Sequence, residues 1–549
     1  MGFLEERDIE DVPSIKEYYK GKTIFITGGS GFMGKVLIEK LLYSCTDLDR
    51  IYLLLRAKKG VDPEKRLAAI YSSMCFNRLR KDRPGVFESK VFFIAGDCSE
   101  IGLGMSEEDR ALIVNRCQII FHVAASVRFD DSLKVAARLN LRGTKELIDM
   151  AKDVKNLEVL VHVSTSYANT NRVSIDEVVY PPHADWRDTL NVCESFDDAT
   201  LNSLTPKYLG ELPNTYVFTK QLAEHVVYEQ KGKMPIVIMR PSIVISSIEE
   251  PAPGWIENLN GPVGILLASG KGILRSVYTD PDLVADYMPV DIAIKIFIAG
   301  GWLRGSKKLE PTDDIEVYNC SAGNIKTMTI GEIVKYGKEV IIEETPLDGM
   351  LWAVGGSITK SRFEYNLKVI LLHLLPAILV DIILRLTGNP TMLVKLQRRI
   401  YSANIALNYY ITQQWLFINK NILDLRAKIK PDDKKDFFYE METVDRLDYF
   451  KKACIGGKEF ILKEKLEDLP KAKAHLKRMK LLDKFVRYSS YGAICWYLYT
   501  SGLVIRILQW MYNTLIDHSA TTRGPRSRSG RMDQPSPPRP YFRTTRASS

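Results

Sequence analysis

The chain has 549 residues, 46% hydrophobic and 26% charged, which is enough length for several domains and rules out a wholly disordered or fibrous protein. Its net charge of +9 would suit nucleic acid or an anionic membrane. However, part of the excess lies in an arginine-rich tail and no nucleic-acid motif accompanies it, so no nucleic-acid partner is expected. Cysteines at 45, 75, 98, 117, 193, 320, 454 and 495 form no CxxC pair; neither a metal site nor a disulfide framework is indicated, and a reducing compartment fits.

The opening Met1-Gly2-Phe3-Leu4-Glu5-Glu6-Arg7-Asp8 is acidic where a signal peptide would be basic and then apolar, and Glu6 breaks the myristoylation pattern. The enzyme-like part is therefore expected to face the cytosol. Residues 1–20 read as a polar lead-in, a short helix or irregular. Next, the apolar run Thr23-Ile24-Phe25-Ile26 enters Thr27-Gly28-Gly29-Ser30-Gly31-Phe32-Met33-Gly34 and continues at helical spacing through Val36, Leu37 and Leu41. Strand, glycine turn and helix make a dinucleotide fingerprint. Glycines there allow a sharp turn, close approach of a pyrophosphate and tight packing of helix on strand. Gly28, Ser30, Gly31, Phe32, Met33 and Gly34 are the expected phosphate contacts, at the positive end of the helix.

A second strand, Ile51 to Leu55, ends at Arg56, about where such a fold meets the adenosine ribose. Arg56, followed by Lys58 and Lys59, offers cations to a 2′-phosphate where an acidic residue would select NAD, so the expected cofactor is NADPH. A third strand, Val91 to Ala95, leads to Asp97 and Cys98, with Asp97 able to accept from an adenine amino group. A fourth, Ile119 to Val123, ends in the small residues Ala124 and Ala125, which let a flat cofactor lie close to the backbone. A helical stretch from Lys145 to Val154 and a fifth strand, Leu157 to Val163, complete an alternation that implies a doubly wound parallel α/β sheet with crossover helices.

The fifth strand runs into Ser164-Thr165-Ser166, and Tyr216-Val217-Phe218-Thr219-Lys220 follows later. Tyrosine and lysine four apart share one helix face. The cation is expected to lower the phenol's pKa, so that Tyr216 can protonate a carbonyl oxygen as hydride reaches the carbon, while a strand-end hydroxyl polarises the same oxygen. Thr165 is the expected hydroxyl and Ser164 the runner-up; Lys220 can also bond the nicotinamide ribose. His122 and His162 sit in apolar strands and read as satisfied core histidines without a catalytic role.

These stretches, with Val127-Arg128-Phe129-Asp130, Arg240-Pro241-Ser242-Ile243-Val244, Pro253-Gly254-Trp255 through Gly261-Pro262 and Asp286-Tyr287-Met288-Pro289-Val290-Asp291, resemble the fatty acyl-CoA reductases of the extended short-chain dehydrogenase/reductase superfamily, especially those of insects. The last three stretches do not belong to sugar epimerases or steroid dehydrogenases. The resemblance covers nearly all of residues 15 to 515. It implies NADPH-dependent reduction of long-chain acyl-CoA to a primary alcohol through an aldehyde, and a distinctive C-terminal domain, which Tyr318-Asn319-Cys320 onward and residues 370–460 look like. Thr165 stands where many superfamily members carry serine. The competing readings are a sterol or sugar-nucleotide dehydrogenase on the same fold, and a non-catalytic NADPH-binding membrane scaffold.

In the second half, Leu367 to Leu386 is very apolar but interrupted by His373, Pro376 and Asp381; it reads equally as a bilayer span, as an interfacial or re-entrant helix, or as the wall of an acyl channel. Tyr491 to Ile505, with its aromatic residues, is the better span candidate. A buried helix of a soluble domain is the alternative for both. The expected division is a lead-in (1–20), an NADP-binding α/β domain with a substrate subdomain (21–345), a helical C-terminal domain (346–465), a basic linker with a hydrophobic segment (466–518) and a disordered basic tail (519–549). Expected partners are long-chain acyl-CoA and membrane lipid, at the endoplasmic reticulum or a peroxisomal membrane although the chain does not end in Ser-Lys-Leu; an oligomer is compatible with the sequence.

Overall fold

The computed structural model of the protein describes residues 12–56, 62–259, 262–323, 325 and 327–521. The expectations placed on Lys58, Lys59, the first eleven residues and the tail beyond Thr521 fall outside these. Residues up to Lys480 form one compact unit and those from Leu481 a second.

The first unit is built on a seven-stranded parallel sheet. Its strands are β1 (Thr23–Thr27), β2 (Arg50–Leu55), β3 (Val91–Ala95), β4 (Ile119–His122), β5 (Val159–Val163), β6 (Ile236–Pro241) and β7 (Glu316–Cys320), ordered β7-β6-β5-β4-β1-β2-β3. Apolar residues on both faces bury β1, β4, β5 and β6 completely, as a sheet covered by helices on each side requires. Order reverses between β1 and β4, where Thr27 pairs with His122. This switch point opens a crevice at the carboxyl ends of the strands.

Among the helices that position the site, α1 (Phe32–Ser44) follows the glycine turn and α2 (Gly143–Asp153) leads into β5. The third, α3 (Thr215–Tyr228), carries the Tyr-Lys pair, and α4 (Val290–Gly305) is buried along nearly its whole length against β5 and β6. The doubly wound architecture is as expected, with two corrections of detail. Tyr318-Asn319-Cys320, read with the C-terminal domain, lies instead in the edge strand β7 of the main sheet, register-paired with Met239, Arg240 and Pro241. The lead-in, too, is not merely polar. Ser14 and Glu17 form a capping box on the helix Ile15–Tyr19, whose Tyr19 is buried and donates to Ile298 O at 3.0 Å, while Trp302 Nε1 reaches Pro13 O at 2.8 Å.

The C-terminal part of this unit contains α5 (Arg362–Leu386) and α6 (Leu393–Ile411). It is stitched to the α/β body: Leu416 and Phe417 pair with Ser174 and Ile175 in a small two-stranded sheet, and Asn421 Nδ2 donates to Val317 O of β7 at 2.8 Å. On α5 the buried side chains are Tyr365, His373, Ala377 and Asp381, every fourth position with Val369 partly buried. An ordinary α-helix would carry such a line about 40° further round at each step. The wider π-type winding over Val369–Leu374 removes most of that drift, so the line stays against the body. The polar residues that interrupt the apolar run are its anchors. His373 Nε2 accepts from Arg275 N at 2.8 Å, and the Asp381 carboxylate accepts from the backbone N–H groups of Met392, Leu393 and Val394, closing the start of α6. Around them Leu371, Leu375, Leu379, Ile382 and Ile383 are exposed.

The second unit holds the end of α7 (Leu469–Thr500) and α8 (Leu503–Thr521), with Tyr488, Tyr491, Trp496 and Trp510 exposed. Tyr491–Ile505, preferred as a span in the sequence, is not one straight helix. Among the described residues, α5 is the one single helix long and apolar enough by length and composition to cross a membrane, while Leu466–Thr500 and Ile505–Thr514 qualify as a pair bent by 62°. Ser501 and Gly502 break that run.

Candidate active site

Three glycines of the turn have distinct physical reasons. Gly28 has φ +77°, and a Cβ there would lie 2.6 Å from Ala124 N. A Cβ on Gly34 would collide with Gly28 O and lie 2.7 Å from Gly29 Cα, so Gly34 is what lets α1 pack on the turn. Gly31 has an ordinary φ of −81°, and a Cβ there would meet only Gly28 O, at 3.3 Å. No strain demands glycine at 31, and its one close contact would ask the turn to give by only a few tenths of an ångström. The space beside it fits a group that must approach the backbone, and no side chain caps the first turn of α1. Its unpaired N–H groups and the dipole suit a pyrophosphate. Ser30 is exposed at the turn, Met33 is half-buried, and Phe32 stacks on the buried Trp255 at 5.1 Å.

At the end of β2, Arg56 is more than half exposed and pairs with Asp97, Nε to Oδ2 at 2.6 Å and Nη2 to Oδ1 at 3.1 Å. Asp97 also accepts from Ser99 N and Oγ, each at 2.9 Å, and these bonds with Arg56 hold its carboxyl below the usual range against the opposing effect of burial. The two residues expected to meet the phosphate and the adenine thus meet each other. Cys98 is buried, and its carbonyl would lie 2.7 Å from a Cβ on Gly143.

Lys220 and Tyr216 stand one turn apart on α3, whose N-cap Asn214 accepts from Val217 N at 3.0 Å. Lys220 is buried and donates to Val163 O at 2.7 Å, at the carboxyl end of β5. Burial pushes its pKa down to about 8, against an opposing pull from Glu224. Glu224 is committed elsewhere, in a fully buried pair with Arg240 on β6 (2.7 Å), which locks α3 to the sheet. Tyr216 is half-buried, with the Thr165 hydroxyl as its polar neighbour, and Thr165 Oγ1 also reaches Pro241 O at 3.5 Å. The Tyr216 pKa is pushed up to about 12 by burial, with the Thr165 hydroxyl pulling it back. This corrects the expected acidification by Lys220: the ammonium is turned to Val163 O, so desolvation dominates the phenol. Thr165 Oγ1 also accepts from Tyr167 N at 3.2 Å, whereas Ser164 Oγ is buried without a hydrogen-bond partner. The structure therefore brings Thr165, not Ser164, to Tyr216.

His122 behaves as expected, between Thr27 Oγ1 (2.7 Å) and Thr144 Oγ1 (3.0 Å), with burial pushing its pKa down to about 3. His162 does not: it is fully buried, and neither ring nitrogen has a partner. Three residues here escaped the sequence reading. Asn214 could have been found, since Asn before a helical run is an N-cap signal. Asn140 bridges Ser126 N (2.8 Å) and Thr219 Oγ1 (3.0 Å), and Tyr410 arrives from α6; both are long-range pairings with no local signature.

Two family models, both described as male sterility protein, match residues 26–297 and 372–464. Fatty acyl-CoA reductase 1 of Homo sapiens is 39% identical over 467 residues, 85% of this chain and 90% of its own. The chain belongs to the fatty acyl-CoA reductase family. Fatty acyl-CoA reductase 2 of Bos taurus is 36% identical over the same shares of each chain. Among solved structures, the reductase domain of a non-ribosomal peptide synthetase from Mycobacterium tuberculosis aligns with TM-score 0.52 at 19% identity, covering 84% of this chain and 97% of its own. The terminal R domain of the myxalamid pathway aligns with TM-score 0.52 at 17%, covering 80% and 90%. These two share the fold.

Proposed function

We propose that this reductase converts long-chain fatty acyl-CoA to a primary alcohol and CoA by way of the aldehyde, using NADPH. The observation that carries the chemistry is the juxtaposition of Tyr216, Thr165 and Lys220 at the carboxyl end of β5, facing the crevice that opens beside Gly31. Bound along that crevice, a reduced nicotinamide would supply hydride to the carbonyl carbon. Thr165 and Tyr216 then donate to the oxygen that gains charge, and Tyr216 delivers its proton to the alkoxide. Lys220, held by Val163 O at the end of β5, is read as the group that bonds the nicotinamide ribose. Reduction of the thioester carbonyl gives a hemithioacetal, which collapses to aldehyde with departure of CoA thiol; reduction of the aldehyde completes the alcohol. The phosphate contacts are read as Gly28, Ser30, Gly31, Phe32, Met33 and Gly34, with Asp97, Cys98 and Ala124 lining the remainder.

NADPH is preferred over NADH because the end of β2 presents a cation, Arg56, rather than a carboxylate, and because the Arg56 side chain keeps 56% of its surface exposed. A 2′-phosphate entering there would compete with Asp97 for the guanidinium. We read 21–345 as the catalytic region and 346–465 as the segment that closes over it.

Membrane association belongs to the same reading. Most aliphatic side chains of α5 face outward while His373 and Asp381, which interrupt the apolar run, face inward, an arrangement suited to lying in one leaflet rather than crossing it. Lys395, Arg398 and Arg399 on the exposed side of α6 suit anionic headgroups. Purified protein given palmitoyl-CoA with either cofactor is the test. The expected result is hexadecanol with NADPH and little with NADH; equal rates with both would remove the role given to Arg56.

A further inference from the structure

From the C-terminal part of the chain, Tyr410 at the end of α6 comes close to Tyr216. Its ring stacks on Phe129 with centroids 5.0 Å apart and planes 28° apart, and Phe129 in turn lies 5.9 Å from the Tyr216 ring. The Tyr410 hydroxyl accepts from Asn214 Nδ2 at 2.8 Å, so the amide that caps α3 also holds Tyr410. The end of α6 is fixed from the other catalytic element too: Tyr409 Oη and Trp415 Nε1 both donate to Thr170 O, at 3.1 and 3.0 Å, just beyond the Ser166–Asn169 turn that follows Thr165. One C-terminal segment is therefore tied to both elements that supply reacting hydroxyls.

Tyr410, Phe129 and Tyr216 are each only partly buried. Rings serving to fill a core would be enclosed, as Phe121 and Phe218 are. A contiguous row of half-covered rings ending at the catalytic phenol instead leaves an apolar wall at the point where a carbonyl must be presented. A planar thioester with an aliphatic chain can lie against such a surface, gaining contact area without needing polar partners.

We propose that Tyr410 is a positioning residue: with Phe129 it forms the wall that holds the acyl thioester at Tyr216, so that the C-terminal segment completes the substrate site. The inference rests on the acyl-CoA reading above. It is tested on the full chain with palmitoyl-CoA and decanoyl-CoA, measuring KM and kcat, together with NADPH affinity by fluorescence and the thermal midpoint. Tyr410→Ala is expected to raise KM for palmitoyl-CoA by about tenfold or more, with NADPH affinity within about twofold of wild type. Tyr410→Phe keeps the ring and should recover most of the loss, and Phe129→Ala should mimic Tyr410→Ala, which also covers the case in which Tyr410→Ala does not fold. Unchanged KM in both alanine variants overturns the proposal. Parallel loss of NADPH binding and thermal stability overturns it as well, because it would mark Tyr410 as a strut. Wild-type protein that binds NADPH but leaves palmitoyl-CoA untouched would instead bring down the functional reading beneath it.

Discussion

The glycine turn and α5 are both built of small or apolar residues, yet they use them in opposite directions. In the turn, Gly28 and Gly34 are fixed by what the protein itself places against them, and Gly31 by space left beside it. On α5, the residues the body contacts form one narrow line that includes His373 and Asp381, and the aliphatic residues are left outside. The first region excludes side chains so that a ligand can approach the backbone; the second presents side chains to something other than this unit. Apolar composition alone does not separate the two cases, but the position of the polar interruptions does.

This contrast can be pressed at several points, beginning with the largest effect. Tyr216→Phe should lower kcat/KM for palmitoyl-CoA by about 10²–10⁴, the usual scale for a positioned acid, while leaving NADPH affinity nearly unchanged. Next come the glycines. Gly34→Ala should destabilise by about 1–3 kcal/mol or more because backbone blocks the new methyl, seen as a fall in the thermal midpoint. Gly31→Ala should leave the midpoint near wild type and weaken NADPH binding, measured by titration; equal melting losses for the two would erase the distinction drawn between them.

A smaller effect concerns pH. Lys220 titrates near 8 in the fold, so its ammonium is present below that pH and lost above it. The profile of kcat/KM should fall about tenfold per unit on the alkaline side, and Lys220→Arg, whose charge persists, should move that limb upward in whatever activity it retains. The smallest effects test α5. Asp381→Ala removes the acceptor that closes the start of α6 and should cost about 1–2 kcal/mol of stability. Ile383→Ser, at an exposed position, should leave the thermal midpoint alone and weaken binding to anionic vesicles about tenfold, as expected for losing most of one aliphatic side chain's transfer. If Ile383→Ser melts the protein and vesicle binding is unaffected, the outward face of α5 has been misread.

The sheet was largely legible because its strands are continuous apolar runs and its turn carries a local glycine pattern. The Tyr216 and Lys220 pair was legible for a similar reason, being set by helical spacing within five residues. The environment of that pair was not. Whether Lys220 turns to the phenol or to Val163 O depends on how α3 lies across β5, and no local pattern encodes this. Arg56 and Asp97 were each assigned a ligand, yet lie 41 residues apart in sequence and pair with each other. His373 and Asp381 looked like flaws in a membrane span because their partners, Arg275 N and the start of α6, lie elsewhere in the chain. Tyr410 was invisible for the same reason: only the folded chain brings a residue of the second family match beside a tyrosine of the first.

The central claim is that the crevice beside Gly31 and the hydroxyls of Tyr216 and Thr165 act together to reduce an acyl thioester. The most direct measurement is gas-chromatographic analysis of products from purified protein, NADPH and palmitoyl-CoA, with free CoA quantified in the same reaction. Hexadecanol formed in equal amount to CoA, and lost in Tyr216→Phe, is the predicted result. Turnover to hexadecanol that is undiminished in Tyr216→Phe would contradict the account.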